Sequence, residues 1–194
     1  MKRICVFCGS AVGSRTTYAD SARRLGEMLA SRGLDLVFGA GHIGLMGVLA
    51  DAVLANNGRV VGVIPQALVD RELAHGKLNE LHVVETMHQR KALMADLSDA
   101  FLALPGGYGT LDELFEVLTW AQLGIHRKPI GLLNIEGFYD PLLEWVEKAL
   151  VEAFMKPKHR ALLLVERDPE TMLDCLTAWR SGPPVEKWVE PGER

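Results

Sequence analysis

Apolar residues recur along the chain in two rhythms, short unbroken runs and spaced helical faces, and the two alternate. The runs read as buried strands, because a parallel strand covered on both faces loses the polar half of its alternation. They are Arg3 to Cys8, Leu34 to Phe38, Val60 to Ile64 (stopped by Pro65), Ala100 to Leu104, Lys128 to Leu133 and Ala161 to Val165. The spaced faces predict helices over Tyr18 to Ser31, from the turn after the second strand to about Asn57, and over Thr86 to Asp96. Three more are predicted over Leu111 to about Leu123, Tyr139 to Phe154 and Pro169 to Trp179. The polar stretch from Pro65 to about Glu85 reads as a loop with short helical pieces. Strand and helix in alternation imply an α/β fold, a single Rossmann-like doubly wound parallel sheet with helices on both faces. One domain is expected over residues 1–180, followed by a tail over 181–194 that begins at Ser181-Gly182-Pro183-Pro184.

Composition narrows the function. A chain of 194 residues with 48% hydrophobic content fills a core covered on both faces. Its net charge of −4 gives no basic field to hold a nucleic-acid backbone, so a bound nucleotide would be a small one. The first apolar run stops at Gly9-Ser10, too short for a signal peptide or a membrane span, which predicts a cytoplasmic protein with no membrane partner. Only 3 Cys occur, which is no disulfide framework. Cys5 and Cys8 have C-x-x-C spacing, yet inside a strand an offset of three puts them on opposite faces, against a redox or zinc pair. The 6 His are scattered without a ligand pattern, and no metal site is expected.

Chemistry concentrates where strands break into glycine. Leu104-Pro105-Gly106-Gly107-Tyr108-Gly109-Thr110-Leu111-Asp112-Glu113 joins the fourth strand to a helix whose opening N–H groups have no partners within it. Such a corner suits a phosphate. Thr110 and Glu113 also stand at capping-box spacing, which by itself explains both residues. Asp112, Glu113 and Glu116 sit near the start of that helix, where its dipole should keep them ionised. A carboxylate there suits a developing positive charge.

A second corner, with Gly39, Gly41 and Gly44 followed by Gly47, has the spacing of a dinucleotide fingerprint. The acidic ribose ligand expected about 20 residues on is missing, since that distance falls at Arg59-Val60, so NAD is disfavoured. Tight turning and close packing account equally well for Gly44 and Gly47. Arg90 and Lys91, at the start of the helix from Thr86, read either as a solvated basic face or as an anion site, with Arg90 able to bind bidentately. All three strand-end corners, the first at Gly9-Ser10, are expected to line one crevice.

At these residues the chain resembles the LOG family (named for the Lonely Guy protein), the cytokinin-activating nucleoside 5′-monophosphate phosphoribohydrolases, often mislabelled lysine decarboxylases. Pro105 to Glu113 is similar to the family's P-G-G-x-G-T-x-x-E signature, and Met87-His88-x-Arg90-Lys91 stands upstream at the family's spacing. Phe7-Cys8-Gly9-Ser10 and Gly44-Leu45-Met46-Gly47 also look like family segments, while the usual G-G-G after the second strand is here Gly39-Ala40-Gly41. The resemblance implies hydrolysis of the N-glycosidic bond of N6-substituted adenosine 5′-monophosphates and of AMP, with no cofactor. It implies Arg90 and Glu113 as the catalytic pair. Glu72, Arg90, Lys91, Gly107, Tyr108, Gly109, Thr110, Leu111, Asp112, Glu113 and Thr119 would line the nucleotide. A homodimer with the site near its interface is implied as well. Two further readings stay open on the residues alone, a non-catalytic nucleotide-binding or carrier module and an NAD-linked oxidoreductase. Lysine decarboxylation fits poorly, because the chain is short for a pyridoxal phosphate fold and marks no Schiff-base lysine.

Overall fold

The computed structural model describes residues 1–71 and 74–180. Glu72, Leu73 and the expected tail from Ser181 lie outside the described residues. Seven parallel strands, β1 (Arg3–Phe7), β2 (Asp35–Phe38), β3 (Val60–Pro65), β4 (Glu80–Val84), β5 (Ala100–Ala103), β6 (Ile130–Leu133) and β7 (Leu163–Glu166), form one sheet in the order β4-β3-β2-β1-β5-β6-β7. The order reverses between β1 and β5, so the loops leaving these neighbouring strands diverge and open a crevice at their carboxyl ends.

The helices are α1 (Thr16–Ser31), α2 (Gly44–Ala55), α3 (Gln66–Val69), α4 (Met87–Asp96), α5 (Tyr108–Gln122), α6 (Asp140–Val151), α7 (Pro157–Arg160) and α8 (Pro169–Ala178). They cover both faces of the sheet. One face packs Ile4, Val6, Leu36 and Phe38 against α1, α2 and α8; the other packs Cys5, Phe7, Val37, Phe101 and Ala103 against α4 and α5. Burying each large side chain such as Phe38 or Phe101 contributes about 1.5–3 kcal/mol. Cys5 and Cys8 fall into opposite layers, as the strand offset requires, and both are free. Close approach of α1 to α2 depends on Gly26, where a side chain would run into Ala52 and the Leu49 carbonyl.

Three expectations need correction. The stretch before Glu85 holds α3, as short helical pieces required, but also the edge strand β4, which pairs in register with β3 from Val61↔Glu80 to Pro65↔Val84. Pro65 closes β3 rather than stopping it short, since the ladder continues through its carbonyl side. Lastly, α5 begins at Tyr108, three residues before the predicted start, with Gly107 as its N-cap and no side chain capping it. Thr110 and Glu113 therefore do not form a capping box. A capping box does occur at Thr86 and Gln89 of α4: the Thr86 hydroxyl accepts from the Gln89 N–H at 3.1 Å, and the Gln89 side chain accepts from the Thr86 N–H at 3.1 Å. Thr86-x-x-Gln89 carries the same spacing in the sequence.

Candidate active site

Backbone hydrogen bonds tie the three corners together. Leu104 N–H donates to the Phe7 carbonyl at 2.9 Å, Gly9 N–H to the Pro105 carbonyl at 3.0 Å, and Leu45 N–H to the Gly9 carbonyl at 3.0 Å. Between them lies a cavity of about 300 Å³, lined by glycines and Ser10 from the corners and by Arg90, Tyr108, Thr110 and Glu113. Its remaining wall is apolar, formed by Ile43, Met46, Ile64 and Leu68.

The α5 side is shaped to receive an anion. The first bond of the helix runs from the Leu111 N–H to the Gly107 carbonyl at 3.1 Å, so the N–H groups of Tyr108, Gly109 and Thr110 have no helical acceptor. A Cβ placed on Gly107 or Gly109 would meet no protein atom within 4 Å. Gly106 differs, because the Thr110 side chain fills the space beside it and is itself buried. Tyr108 stands 95% exposed at the rim.

Opposite stands the ion pair of Arg90 Nη1 and Glu113 Oε1 at 3.0 Å, each side chain 11% exposed. The Arg90 Nε donates to the Val63 carbonyl in β3, at 3.1 Å, and its guanidinium occupies the space a side chain would take at Gly39. Burial pushes the Glu113 carboxyl above the ordinary glutamate value; Arg90 and Lys91 oppose that shift, while Asp112 and Glu116 add to it. Glu113 sits in the second turn of α5, where the helix dipole is weaker and desolvation is the largest influence on its carboxyl.

The other candidates lie apart. Lys91 Nζ is 3.0 Å from Asp112 Oδ2 and 3.1 Å from Glu116 Oε1, beside the cavity and not in its lining. Leu111 packs against the core layer under α5. Thr119 donates its hydroxyl to the Phe115 carbonyl at 2.7 Å and lines a separate groove between α5 and α6. Glu72 lies outside the described residues. Sequence reasoning missed the apolar wall, because Ile43, Met46, Ile64 and Leu68 come from three different elements and no spacing links them. It also missed Cys8, which lines the cavity with a thiol that burial pushes far up and so keeps protonated. At the second corner Gly44 has φ +64° and no room for a side chain beside Ser10 and Ala11, and Gly47 has none beside the His42 carbonyl, so both glycines serve turning and packing.

Among the described residues no group of three or more His, Cys, Asp or Glu is placed to hold a metal, and no helix is long and apolar enough to cross a membrane.

Solved structures that resemble this fold include the molybdenum cofactor binding protein of Rippkaea orientalis, with a TM-score of 0.70 at 20% identity over 92% of this chain and 97% of that one. The molybdenum cofactor carrier protein of Chlamydomonas reinhardtii gives a TM-score of 0.68 at 20% identity over 92% of this chain and 99% of that one. At that identity the likeness is one of fold. Much nearer in sequence is the cytokinin riboside 5′-monophosphate phosphoribohydrolase LOG1 of Arabidopsis thaliana, 55% identical over 84% of this chain and 76% of its own. The corresponding enzyme LOG of Oryza sativa subsp. japonica is 53% identical over 84% of this chain and 67% of its own. The family model described as "possible lysine decarboxylase" matches residues 46–176, which include the cavity residues from Met46 through Arg90 to Glu113. With that match and relatives above half identity, the chain belongs to the LOG family.

Proposed function

We propose that this chain hydrolyses the N-glycosidic bond of N6-substituted adenosine 5′-monophosphates and of AMP, releasing the free base and ribose 5-phosphate. The observation that carries this reading is the buried Arg90–Glu113 pair facing an open helix N-terminus across one cavity. Phosphate sits at the N–H groups of Tyr108, Gly109 and Thr110, against the bare faces of Gly107 and Gly109. The ribose then lies toward Glu113, whose carboxylate meets the positive charge that develops at C1′ as the bond to the base breaks. Water adds to C1′, and the departing base takes up a proton. Arg90 holds Glu113 in place and offers its remaining N–H donors to the ligand. The apolar wall from Ile43 to Leu68 takes the base and its N6 substituent. A carrier function is not favoured, since the carrier proteins share only the fold at 20% identity.

The test is Glu113→Gln, assayed for base release from AMP and N6-isopentenyl-AMP. Activity should fall about 10³-fold, a loss typical of removing one electrostatic stabiliser, while the melting temperature holds. Wild-type protein that releases no base from either nucleotide would overturn the reading. Because the ionised carboxylate is the working form and its pKa is raised, activity should be lost as pH falls through a point above the ordinary glutamate range.

We further propose that the working unit is a homodimer. The groove between α5 and α6 is apolar, and Trp145, Val151 and Phe154 near it are 53%, 85% and 89% exposed, a patch suited to a second copy. Sedimentation should return twice the chain mass; the monomer mass at micromolar concentration would refute it.

A further inference from the structure

The ladder between β1 and β5 slips by one residue where the chain enters the glycine corner of α5. Phe7 pairs with Ala103, and the Leu104 N–H donates to the Phe7 carbonyl at 2.9 Å. In an unbroken parallel ladder the next bond would run from the Gly9 N–H back to the Leu104 carbonyl. It runs instead to the Pro105 carbonyl at 3.0 Å, one residue further on. The slip puts an extra residue on the β5 side, as a bulge does, and turns the chain out of the sheet. It also deprives the Leu104 carbonyl of its strand partner at a fully buried residue.

The Tyr139 hydroxyl takes that partner's place, donating to the Leu104 carbonyl at 2.6 Å. Tyr139 stands at the N-cap of α6 and is itself buried. Asn134, buried just after β6, sets its position: Asn134 Oδ1 accepts from the Tyr139 N–H at 2.7 Å, and Nδ2 donates to Asp140 Oδ1 at 2.6 Å. The Asn134 N–H in turn donates to the Glu166 carbonyl of β7 at 2.7 Å. Burial pushes the Tyr139 phenol far above the ordinary tyrosine value, with Cys8 adding to the shift, so the hydroxyl keeps its proton and remains a donor. A run of hydrogen bonds therefore leads from β7 to the last residue before Pro105.

We infer that Tyr139 is a positioning residue for the anion site: its hydroxyl fixes the Leu104–Pro105 peptide, and through it the N–H groups of Tyr108, Gly109 and Thr110 that open α5. This rests on the proposed hydrolase function. Tyr139 stands outside the cavity lining and acts only through the backbone. Gly106 and Gly107 hold no conformation of their own, so the direction of the donors depends on how the two ends of the turn are held. Thr110, packed beside Gly106, holds the far end; the Gly9–Pro105 and Tyr139–Leu104 bonds hold the near end. Glu113 is held separately, by Arg90. Loss of the Tyr139 hydroxyl therefore acts on the phosphate end of the site more than on the bond that breaks.

Tyr139→Phe removes the hydroxyl and keeps the ring. It should raise KM for AMP about tenfold with kcat within about threefold, the pattern of lost binding common to substrate and transition state. Binding of ribose 5-phosphate, measured by calorimetry, should weaken by a similar factor. Leu176→Ala in α8, on the other face of the sheet, should lower the melting temperature at least as much and leave both quantities within about twofold of wild type. A Tyr139→Phe protein that melts early but keeps wild-type KM and ribose 5-phosphate affinity has lost only a structural bond, and that result overturns the proposal. So does a fall in kcat of about tenfold at unchanged KM, which would place the effect on Glu113 instead. Should Tyr139→Phe fail to fold, Asp140→Ala decides: it loosens Asn134 from a half-exposed position and should weaken ribose 5-phosphate binding about threefold, and wild-type affinity there refutes the inference. The NMR amide resonances of Gly106 and Gly107 need neither turnover nor ligand. They should move in Tyr139→Phe and hold in Leu176→Ala; unmoved resonances in Tyr139→Phe also overturn the proposal. Wild type that binds ribose 5-phosphate without releasing base would count against the hydrolase function, while affinity and resonances would still decide the role of Tyr139.

Discussion

At Gly44 a side chain would overlap the backbone of Ser10 and Ala11, whereas at Gly107 and Gly109 it would meet no protein atom within 4 Å. Both corners follow a buried strand and open a helix, and both are rich in glycine. In the first, the fold itself consumes the space. In the second the protein leaves the space empty, on the wall of the cavity that holds Arg90 and Glu113. A glycine that its own protein does not need is a glycine kept for something that comes and goes.

The contrast is easiest to break at its structural end. Gly44→Ala forces a side chain into backbone at φ +64° and should cost about 3 kcal/mol or more, enough to lower the melting temperature by over 6 °C or prevent folding. A soluble Gly44→Ala protein with wild-type melting would refute the packing account. At the other corner, Gly109→Ala should leave stability unchanged or raise it by about 0.5–1 kcal/mol, because it removes a glycine from a helix. Base release from AMP should nevertheless fall about 100-fold as the methyl enters the phosphate's place. Full activity in Gly109→Ala would show that no ligand uses that space. The smallest effect is expected at Ala40, a buried residue held at φ +59° where glycine would be at ease. Ala40→Gly relieves about 1 kcal/mol of left-handed strain but loses a buried methyl and loosens the unfolded chain, at about 0.8 and 0.4–1 kcal/mol. These nearly cancel, so the melting temperature should move by no more than about 3 °C, downward; a larger rise would show that the strain had been understated.

The same contrast governs what could be read from sequence. Six strands were legible because residues such as Ile4, Val37 and Leu102 are buried on both sides of the sheet and form unbroken apolar runs. β4 was not, because it is an edge strand with its alternation inverted: Glu80 and His82 are half-buried, with Glu80 paired to both His82 and Arg59, while Leu81 and Val83 are exposed. The start of α5 was placed late because glycine opposes helix, although an opening turn tolerates it well when Thr110 packs beneath Gly106. Within the site, residue types and spacing left Arg90 and Glu113 open to structural readings, and it was the family resemblance that singled out the pair. Neither could show that Lys91 turns away to Asp112 and Glu116, or that Thr119 faces another groove, since side-chain direction there depends on how α4 and α5 cross.

The packing of Arg90 on Gly39 couples two positions that are far apart in the chain. Any side chain at 39 must evict the guanidinium, and any chain that gave up the arginine would be free to fill position 39. The two should therefore change together over evolutionary time, or not at all. What reads as the first glycine of a dinucleotide fingerprint is the imprint of an arginine that arrives two strands later.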